Sequence, residues 1–346
     1  MSPRPLRVTA IIAVAVVSVF VAGAFLVGAG VVRAPRALTA AGDALPSAWP
    51  SAQPHASAAA DPSAHSAPGA RQATPAPAPT SPPAFYSQRW LAAHPQPALP
   101  VHARGAVLVD LDMHQELWAS QAQVPLPPAS LTKTMAVAVA LKHATLDTVI
   151  TVPEGATNVQ PTTMGLSAGE RLTVRELLYG VFLLSANDAA EALAQGLVPR
   201  DQFLAEMNQL ARSWGLTGSS FTNPTGLDDP GLRSSAQDVA AIVGHLEQEH
   251  PELLRISATP EINLPQSPLH KAYQLDTVLG LLTTRAYPGA TGFKTGFTDD
   301  AGYCLVGTAT RGNRHLIAVV LNSPADISDV IAMLNYGFST QPPPPA

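Results

Sequence analysis

The chain is poor in cysteine and in charge of either sign. Its only cysteine is Cys304, which excludes an intramolecular disulfide framework and a zinc site built on several cysteines. We expect this lone cysteine to be a small apolar core residue. Charged side chains make up 13% of the 346 residues and the net charge is −5, so the basic surface that a nucleic-acid-binding protein needs is not expected. Neither a metal site nor a cofactor site is predicted.

Lysine occurs only at Lys133, Lys142, Lys271 and Lys294, and the first and last of these lie in short polar motifs. The first motif follows two prolines, after which an Ala- and Val-rich run favours a helix. Ser130 and Lys133 are three residues apart at the start of this helix, so their side chains share one face. The positive end of the helix dipole favours a developing oxyanion and disfavours a second positive charge, which makes Lys133 a candidate neutral base. The other interpretation is a capping serine beside a solvated lysine, because S-x-x-K is common by chance.

Two later motifs favour the catalytic interpretation. Ser185 and Asn187 follow a helix, predicted over residues 174–184, that is apolar nearly all round and therefore buried. Lys294 begins a Lys-Thr-Gly triplet. The motifs S-x-x-K, S-x-N and K-T-G in this order are typical of serine acyl-transferases that recognise penicillin. A G-x-S-x-G pattern around Ser167 lacks the strand that precedes a nucleophile elbow, so Ser167 is rejected as the nucleophile.

On these motifs the chain resembles the D-alanyl-D-alanine carboxypeptidases, the low-molecular-mass penicillin-binding proteins. The resemblance covers residues 101–340 and extends to further stretches at 164–180, 223–228 and 298–303. It implies an α+β fold of the β-lactamase/transpeptidase type, in which helices flank an antiparallel sheet and also form a helical subdomain. The implied activity is removal of the terminal D-Ala from the peptidoglycan pentapeptide, with β-lactams as acylating inhibitors and no cofactor.

The resemblance implies a catalytic set composed of Ser130, Lys133 and Ser185. Ser130 would be the acylated nucleophile and Lys133 its base, provided that burial and a second nearby cation lower the pKa of the amine. Ser185 would relay a proton across the cleft. Complete nucleophile and base motifs are what an active enzyme of this class requires.

The implied substrate-binding set is Asn187, Lys294, Thr295, Gly296 and Phe297. Asn187 would hold the substrate backbone, and Lys294 with Thr295 would hold the terminal carboxylate of D-Ala-D-Ala. Gly296 would allow the substrate to approach closely. The backbone N–H groups of Phe297 and of the nucleophile would form the oxyanion hole.

The chain departs from the family pattern in places, and alternatives remain. Ala186 stands where glycine is commoner, and residues 323–330 lack an arginine that many members use near the substrate carboxylate. A class A β-lactamase is one alternative, but it deacylates with a glutamate between the second and third motifs, and residues 215–231 contain Asp228 and Asp229 without a glutamate. A non-catalytic peptidoglycan-binding relative is another, and the complete motifs argue against it. Endopeptidase activity remains open within the family.

The N-terminal part of the chain has a different character. Residues 8–32 form an uncharged, almost wholly apolar run, longer than the roughly 7–15 residues of a signal-peptide core and above the roughly 20 that span a bilayer. Residues 1–33 are therefore predicted to be an uncleaved membrane anchor, with a cleaved signal as the alternative. Residues 34–100 contain 14 of the 34 prolines and are predicted to be a disordered Pro/Ala-rich linker. We expect the catalytic domain at 101–340 to lie outside the cytoplasm at the bacterial cell membrane, or to be secreted if the signal is cleaved.

Hydrophobic patterning outlines the elements of this domain. The predicted strands include 105–110, 116–119, 302–309 and 315–321. The first two are expected to form a hairpin, and the last two an antiparallel pair. Two of the intervening helices are predicted to begin with capping boxes, at Thr173 and at Ser235. An amphipathic helix is predicted to close the domain at 327–338.

Overall fold

The structure is a computed structural model that describes residues 84–340. Its helices are α1 (Arg89–Ala93), α2 (Thr132–His143), α3 (Glu154–Thr157), α4 (Val174–Tyr179), α5 (Asn187–Leu197), α6 (Arg200–Ser213), α7 (Ala236–Glu249), α8 (Leu253–Ser257) and α9 (Asp326–Ser339). Its strands are β1 (Gly105–Asp110), β2 (Gln115–Ser120), β3 (Val149–Thr151), β4 (Arg171–Thr173), β5 (Glu261–Leu264), β6 (Tyr273–Asp276), β7 (Ala290–Thr298), β8 (Gly302–Arg311) and β9 (Arg314–Leu321).

Five strands form one antiparallel sheet in the order β2-β1-β9-β8-β7. The predicted hairpin of β1 and β2 and the predicted pairing of β8 with β9 are both confirmed. On β1, Val107 and Val109 belong to one core cluster, while Ala106 and Leu108 belong to a second cluster on the opposite face. Because both faces of the sheet are covered, successive residues of β1 are apolar instead of alternating between apolar and polar.

Helices cover the two faces of this sheet unequally. Helix α9 packs against β8 and β9 on one face, and α7 packs against β1 and β9 on the other. Helices α2 to α6 lie between β2 and β7 in the chain and extend the core on the α7 side. Residues 132–140 of α2 are buried without interruption, as expected of a helix that is surrounded by other elements. The predicted α+β architecture is therefore confirmed.

Helix starts follow local side-chain chemistry. At α4, Thr173 accepts a hydrogen bond from the Glu176 N–H, and the Glu176 carboxylate accepts one from the Thr173 N–H. At α7 the Ser235 hydroxyl accepts from the Asp238 N–H, but the Asp238 carboxylate accepts from the Gly218 N–H instead of completing the box. One predicted capping box is thus complete and the other is half formed. The predicted helix over 174–184 is regular only in α4, since residues 180–184 form a π-helical turn.

The ordered domain begins before the predicted boundary at residue 101. Tyr86 is buried and its hydroxyl donates a 3.3 Å hydrogen bond to the Ala240 carbonyl on α7. Ser87 forms a β-bridge with Gln115 of β2. The Phe85 and Tyr86 rings thus bury apolar area against the domain near the C-terminal end of the predicted 34–100 linker.

The predicted membrane anchor lies outside the described residues, as does most of the predicted linker. Among residues 84–340, no helix combines the length and the apolar character needed to cross a membrane.

Candidate active site

Ser130 lies in a single turn of 3-10 helix, Ala129–Leu131, that leads directly into α2. This position confirms the prediction that Ser130 lies at the start of a helix. Its side chain is half-buried and lines a cavity of about 560 Å³ between the edge strand β7 and the helical part of the domain. The nucleophile candidate is thus accessible from the cavity while the following helix is fixed in the core.

Lys133 lies one turn further along and is completely buried. Its Nζ lies 2.8 Å from Ser130 Oγ, 2.7 Å from Asn187 Oδ1 and 2.6 Å from the Thr225 carbonyl oxygen. Burial, and after it the positive charge of Lys294, lowers the pKa of this amine well below its usual value. The sequence-based expectation that Lys133 lies beside Ser130 and has a lowered pKa is therefore supported by the geometry.

The partners of Lys133 Nζ determine how a neutral amine is oriented. A neutral amine has two N–H donors and one lone pair, and a carbonyl oxygen can only accept a hydrogen bond. The carbonyls of Asn187 and Thr225 therefore take both N–H groups. The charged amine donates to the serine, whereas in the neutral amine the lone pair then faces Ser130 Oγ, 2.8 Å away, and accepts a hydrogen bond from the serine hydroxyl. This is the arrangement that a base needs in order to accept the serine proton.

Lys294 projects from β7 and is completely buried. Its Nζ donates hydrogen bonds of 2.7 Å to Ser185 Oγ and 2.7 Å to the Thr295 carbonyl. Burial lowers the pKa of Lys294 to about 7. Ser185 has a left-handed backbone conformation with φ 62° after the π-helical turn, and this reversal directs the chain into α5.

Asn187 is buried at the first turn of α5, and its amide is fully engaged by protein atoms. Its Oδ1 accepts from Lys133, and its Nδ2 donates to the carbonyls of Gln160 at 2.9 Å and Pro161 at 3.2 Å. The resemblance implies a role for Asn187 in holding substrate. In the structure Asn187 lines the cavity, but its polar atoms orient Lys133 and fix the 160–161 backbone.

The K-T-G strand passes directly beside the Ser130 turn. A methyl group added at Gly296 would lie 3.1 Å from the Ser130 nitrogen and 3.1 Å from Ala129 Cβ, so only glycine leaves this space free. Thr295, Gly296 and Phe297 all line the cavity. The eight residues predicted from sequence are therefore brought together, six of them on the cavity surface and the two lysines behind it.

No sequence motif points to the Thr225 carbonyl, which is a main acceptor for Lys133. Asn223 shapes this loop, because its Oδ1 accepts hydrogen bonds from the N–H groups of Thr225 and Gly226. Gly226 has φ +86°, and a side chain there would collide with the Ala129 carbonyl. The Asn-Pro-Thr-Gly run is a turn signal that predicts a tight loop but not its position in the fold.

Asp188 is a second residue whose importance the sequence did not indicate. Its carboxylate is buried and accepts hydrogen bonds from the backbone N–H groups of Met164, Gly165 and Leu166 at 2.9–3.0 Å. Residues 160–166 are thereby held against α5, next to Asn187. Three preorganised N–H donors around one carboxylate stabilise its negative charge.

The deacylating glutamate of a class A β-lactamase is expected beside the nucleophile. Within the described part of the chain, no glutamate lines the cavity that contains Ser130. The 223–228 loop instead supplies the Thr225 carbonyl to the lysine.

Comparison with known proteins agrees with this geometry. The family model for D-alanyl-D-alanine carboxypeptidase, peptidase family S11, matches residues 91–325. The chain is 32% identical over 246 residues to D-alanyl-D-alanine carboxypeptidase DacF of Bacillus subtilis, covering 68% of this chain and 62% of that relative's length. It is 33% identical over 266 residues to D-alanyl-D-alanine carboxypeptidase DacB2 of Mycobacterium tuberculosis, covering 73% of this chain and 90% of the relative.

Solved structures give the same result. The crystal structure of the Streptomyces K15 DD-transpeptidase matches with a TM-score of 0.65 and 28% identity, covering 71% of this chain and 99% of that protein. The fold is thus the α+β penicillin-binding/transpeptidase fold. With its three motifs assembled around one cavity and with a family match over residues 91–325, the chain belongs to the D-alanyl-D-alanine carboxypeptidase family.

Proposed function

We propose that the chain is a serine-type D-alanyl-D-alanine carboxypeptidase that removes the terminal D-Ala from peptidoglycan stem peptides through an acyl-enzyme on Ser130. The observation that carries the proposal is the orientation of Lys133. Its Nζ contacts two carbonyl oxygens and lies 2.8 Å from Ser130 Oγ, so that a neutral amine with both N–H groups on the carbonyls presents its lone pair to the serine. A buried neutral amine in this geometry can take the proton of the nucleophile at neutral pH.

In the acylation step, Ser130 Oγ forms a bond to the carbonyl carbon of the penultimate D-Ala while its proton moves to Lys133 Nζ. The oxyanion receives hydrogen bonds from the backbone N–H groups of Ser130 and Phe297. Support for this oxyanion hole comes from Gly296, which allows β7 to approach the Ser130 nitrogen closely. Loss of one such donor typically costs about 3 kcal/mol of transition-state stabilisation.

Breakdown of the tetrahedral intermediate breaks the C–N bond, and the proton that Lys133 took from Ser130 passes by way of Ser185 to the leaving nitrogen, which returns Lys133 to its neutral form. The 2.7 Å contact between Lys294 Nζ and Ser185 Oγ supports this relay. Lys294 and Thr295 bind the terminal carboxylate of the leaving D-Ala. Water then attacks the ester carbonyl, its proton passes to Lys133, and Ser130 recovers its own proton as the ester bond breaks.

Asn187 is assigned a positioning role in addition to any contact with substrate, because its amide directs the Lys133 N–H group away from the serine. The catalytic domain is proposed to lie outside the cytoplasm at the bacterial membrane. The apolar run at 8–32 and the Pro-rich residues that follow support this location. Resistance of the protein to extraction at alkaline pH, and an intact N-terminus, would be expected if residues 1–33 anchor the chain.

The test uses the full chain with diacetyl-Lys-D-Ala-D-Ala and with a fluorescent penicillin. The parent is expected to release D-Ala and to carry a long-lived label on Ser130, whereas Ser130→Ala does neither. Rapid hydrolysis of the penicillin would favour the β-lactamase alternative. Folded parent protein that neither releases D-Ala nor takes the label would overturn the proposal and favour a non-catalytic relative.

A further inference from the structure

Residues 223–228 lie outside the three catalytic motifs, yet this loop contacts both reacting side chains. The Thr225 carbonyl oxygen lies 2.6 Å from Lys133 Nζ and 3.4 Å from Ser130 Oγ. When Lys133 is neutral, this carbonyl accepts one of its N–H groups. When Lys133 is charged and donates to Ser130, the same carbonyl is within reach as an acceptor for the serine hydroxyl. One backbone carbonyl therefore orients the proposed base and the proposed nucleophile.

The next residue of the loop packs against the turn that carries Ser130. A methyl group at Gly226 would overlap the Ala129 carbonyl and lie 2.9 Å from the Ser130 nitrogen. Gly226 thus lies against the peptide group whose N–H is proposed to bind the oxyanion. The position of this loop consequently affects the base, the nucleophile and one oxyanion donor together.

A single side chain holds the loop in this shape. Asn223 Oδ1 accepts hydrogen bonds from the Thr225 N–H at 3.2 Å and the Thr225 hydroxyl at 2.9 Å, and from the Gly226 N–H at 2.7 Å. Asn223 Nδ2 donates a 3.0 Å hydrogen bond to the Leu227 carbonyl. Both ends of the amide are therefore used inside the loop, and Asn223 itself does not line the cavity that contains the nucleophile.

We propose that Asn223 is a positioning residue for acylation, which acts through the Thr225 carbonyl and Gly226 without touching the substrate. The proposal rests on the carboxypeptidase function proposed above. Lys294 and Thr295, which are proposed to hold the substrate carboxylate, belong to β7 and not to this loop. Loss of the Asn223 side chain should therefore slow the chemical step while ligand binding stays nearly unchanged. A displacement of about 1 Å in such groups can cost about 100-fold in rate.

The test follows acylation of the full chain by a fluorescent penicillin, in stopped-flow experiments over a range of penicillin concentrations. These experiments give the acylation rate constant and the Kd of the preceding non-covalent complex separately. Asn223→Ala is expected to lower the rate constant by about 30- to 100-fold and to change Kd by less than about threefold. Asn223→Asp keeps an acceptor for all three donors, and at alkaline pH, where Lys133 is neutral, it should recover the rate constant to within about threefold. Asn223→Ser offers a shorter and weaker acceptor and should lie between Asn223→Asp and Asn223→Ala.

Asn208→Ala is the matched control. Asn208 Oδ1 accepts from the Phe221 N–H at 2.9 Å, and its Nδ2 donates to the carbonyls of Leu204 and Phe221. Asn208 thus fixes the backbone two residues before Asn223 with the same kinds of hydrogen bond, but it does not line the cavity. Asn208→Ala should lower the midpoint of urea unfolding as Asn223→Ala does, and should leave the acylation rate constant unchanged.

The outcomes separate this proposal from the carboxypeptidase function. A folded Asn223→Ala whose rate constant equals that of the parent overturns the positioning role, and so does an equal loss of rate in Asn208→Ala, which would show general loosening. A loss confined to Kd would assign the loop to ligand binding and also overturns it. If Asn223→Ala does not fold, equal rate constants for Asn223→Ser and Asn223→Asp overturn it instead. A parent chain that takes no label and releases no D-Ala from diacetyl-Lys-D-Ala-D-Ala would overturn the carboxypeptidase function itself.

Discussion

Lys133 Nζ donates a 2.6 Å hydrogen bond to the carbonyl oxygen of Thr225, a residue 92 positions further along the chain. This contact occupies one of the two N–H groups of the neutral amine, and Asn187 occupies the other. When the amine is neutral, its lone pair is consequently directed at the serine. Orientation of the amine therefore depends on one acceptor from the start of α5 and one from the 223–228 loop, as well as on burial.

The pH dependence of acylation should report the charge of Lys133. Because burial and Lys294 lower its pKa, the amine is neutral at a lower pH than an ordinary lysine, and the acylation rate should fall only as the pH falls below this lowered value. Asn187→Asp places a carboxylate on the amine, which stabilises its charged form and raises its pKa by about 1–3 units. The midpoint of the penicillin acylation rate should shift to higher pH. Asn158→Asp, which adds the same charge at an exposed position, should leave it unchanged.

Two glycine substitutions with similar backbone geometry should have different consequences. Gly226 and Gly169 have φ of +86° and +82°, but a methyl group at Gly226 meets the Ala129 carbonyl, whereas one at Gly169 meets nothing within 4 Å. Gly169→Ala should lower the free energy of unfolding by about 1–2 kcal/mol and leave acylation unchanged. Gly226→Ala should also displace the Ser130 turn and slow acylation by about 100-fold. Urea unfolding and penicillin labelling measure the two effects, and equal acylation rates would contradict the proposed packing.

Asp188→Asn should weaken the loop that supports Asn187. The carboxylate accepts from the N–H groups of Met164, Gly165 and Leu166, and the amide of asparagine would turn one donor group toward these donors. The free energy of unfolding should fall by about 3 kcal/mol, since buried donors lose their acceptor. Acylation should slow as well, because residues 160–161 bind Asn187. Asp201→Asn on the exposed surface of α6 is the matched control and should change neither quantity appreciably.

Burial of Lys294 should make stability depend on pH in the alkaline range. Its pKa is about 7 in the folded protein and 10.5 when exposed, so between these values the unfolded chain binds the extra proton. The free energy of unfolding should therefore rise with pH by about 1.4 kcal/mol per unit from this group, with the stabilisation lost as the pH falls toward 7. Lys294→Met removes that contribution to the slope. Lys142→Met, a substitution at an exposed site, should leave the contribution of Lys294 to the slope unchanged. Urea unfolding between pH 7 and 9 makes the comparison, and parallel slopes for the parent and Lys294→Met would be inconsistent with a pKa of about 7 for Lys294.

Much of the site follows from local sequence. The distance of three residues between Ser130 and Lys133 fixes their contact within one helical turn, and the contact is present at 2.8 Å. Thr173 and Glu176 likewise predict a capping box that forms as expected. Such interactions depend only on residues within one turn, so the tertiary structure has little influence on them.

The motifs identified the residues that meet at the cavity, but spacing alone does not bring Lys294 to Ser185 across 109 positions. That contact depends on where β7 docks, which is set by the packing of the whole sheet.

The amino-acid sequence by itself determined the family and singled out the proposed nucleophile and its lysine, because side-chain identity at short spacing carries that information. Tertiary structure alone decided the role of the Thr225 carbonyl and the contact of Gly226 with the Ser130 turn. Every residue has a backbone carbonyl, and glycine is a common turn residue. Neither is distinctive until folding brings it to the active site, and for that reason the sequence could not single them out.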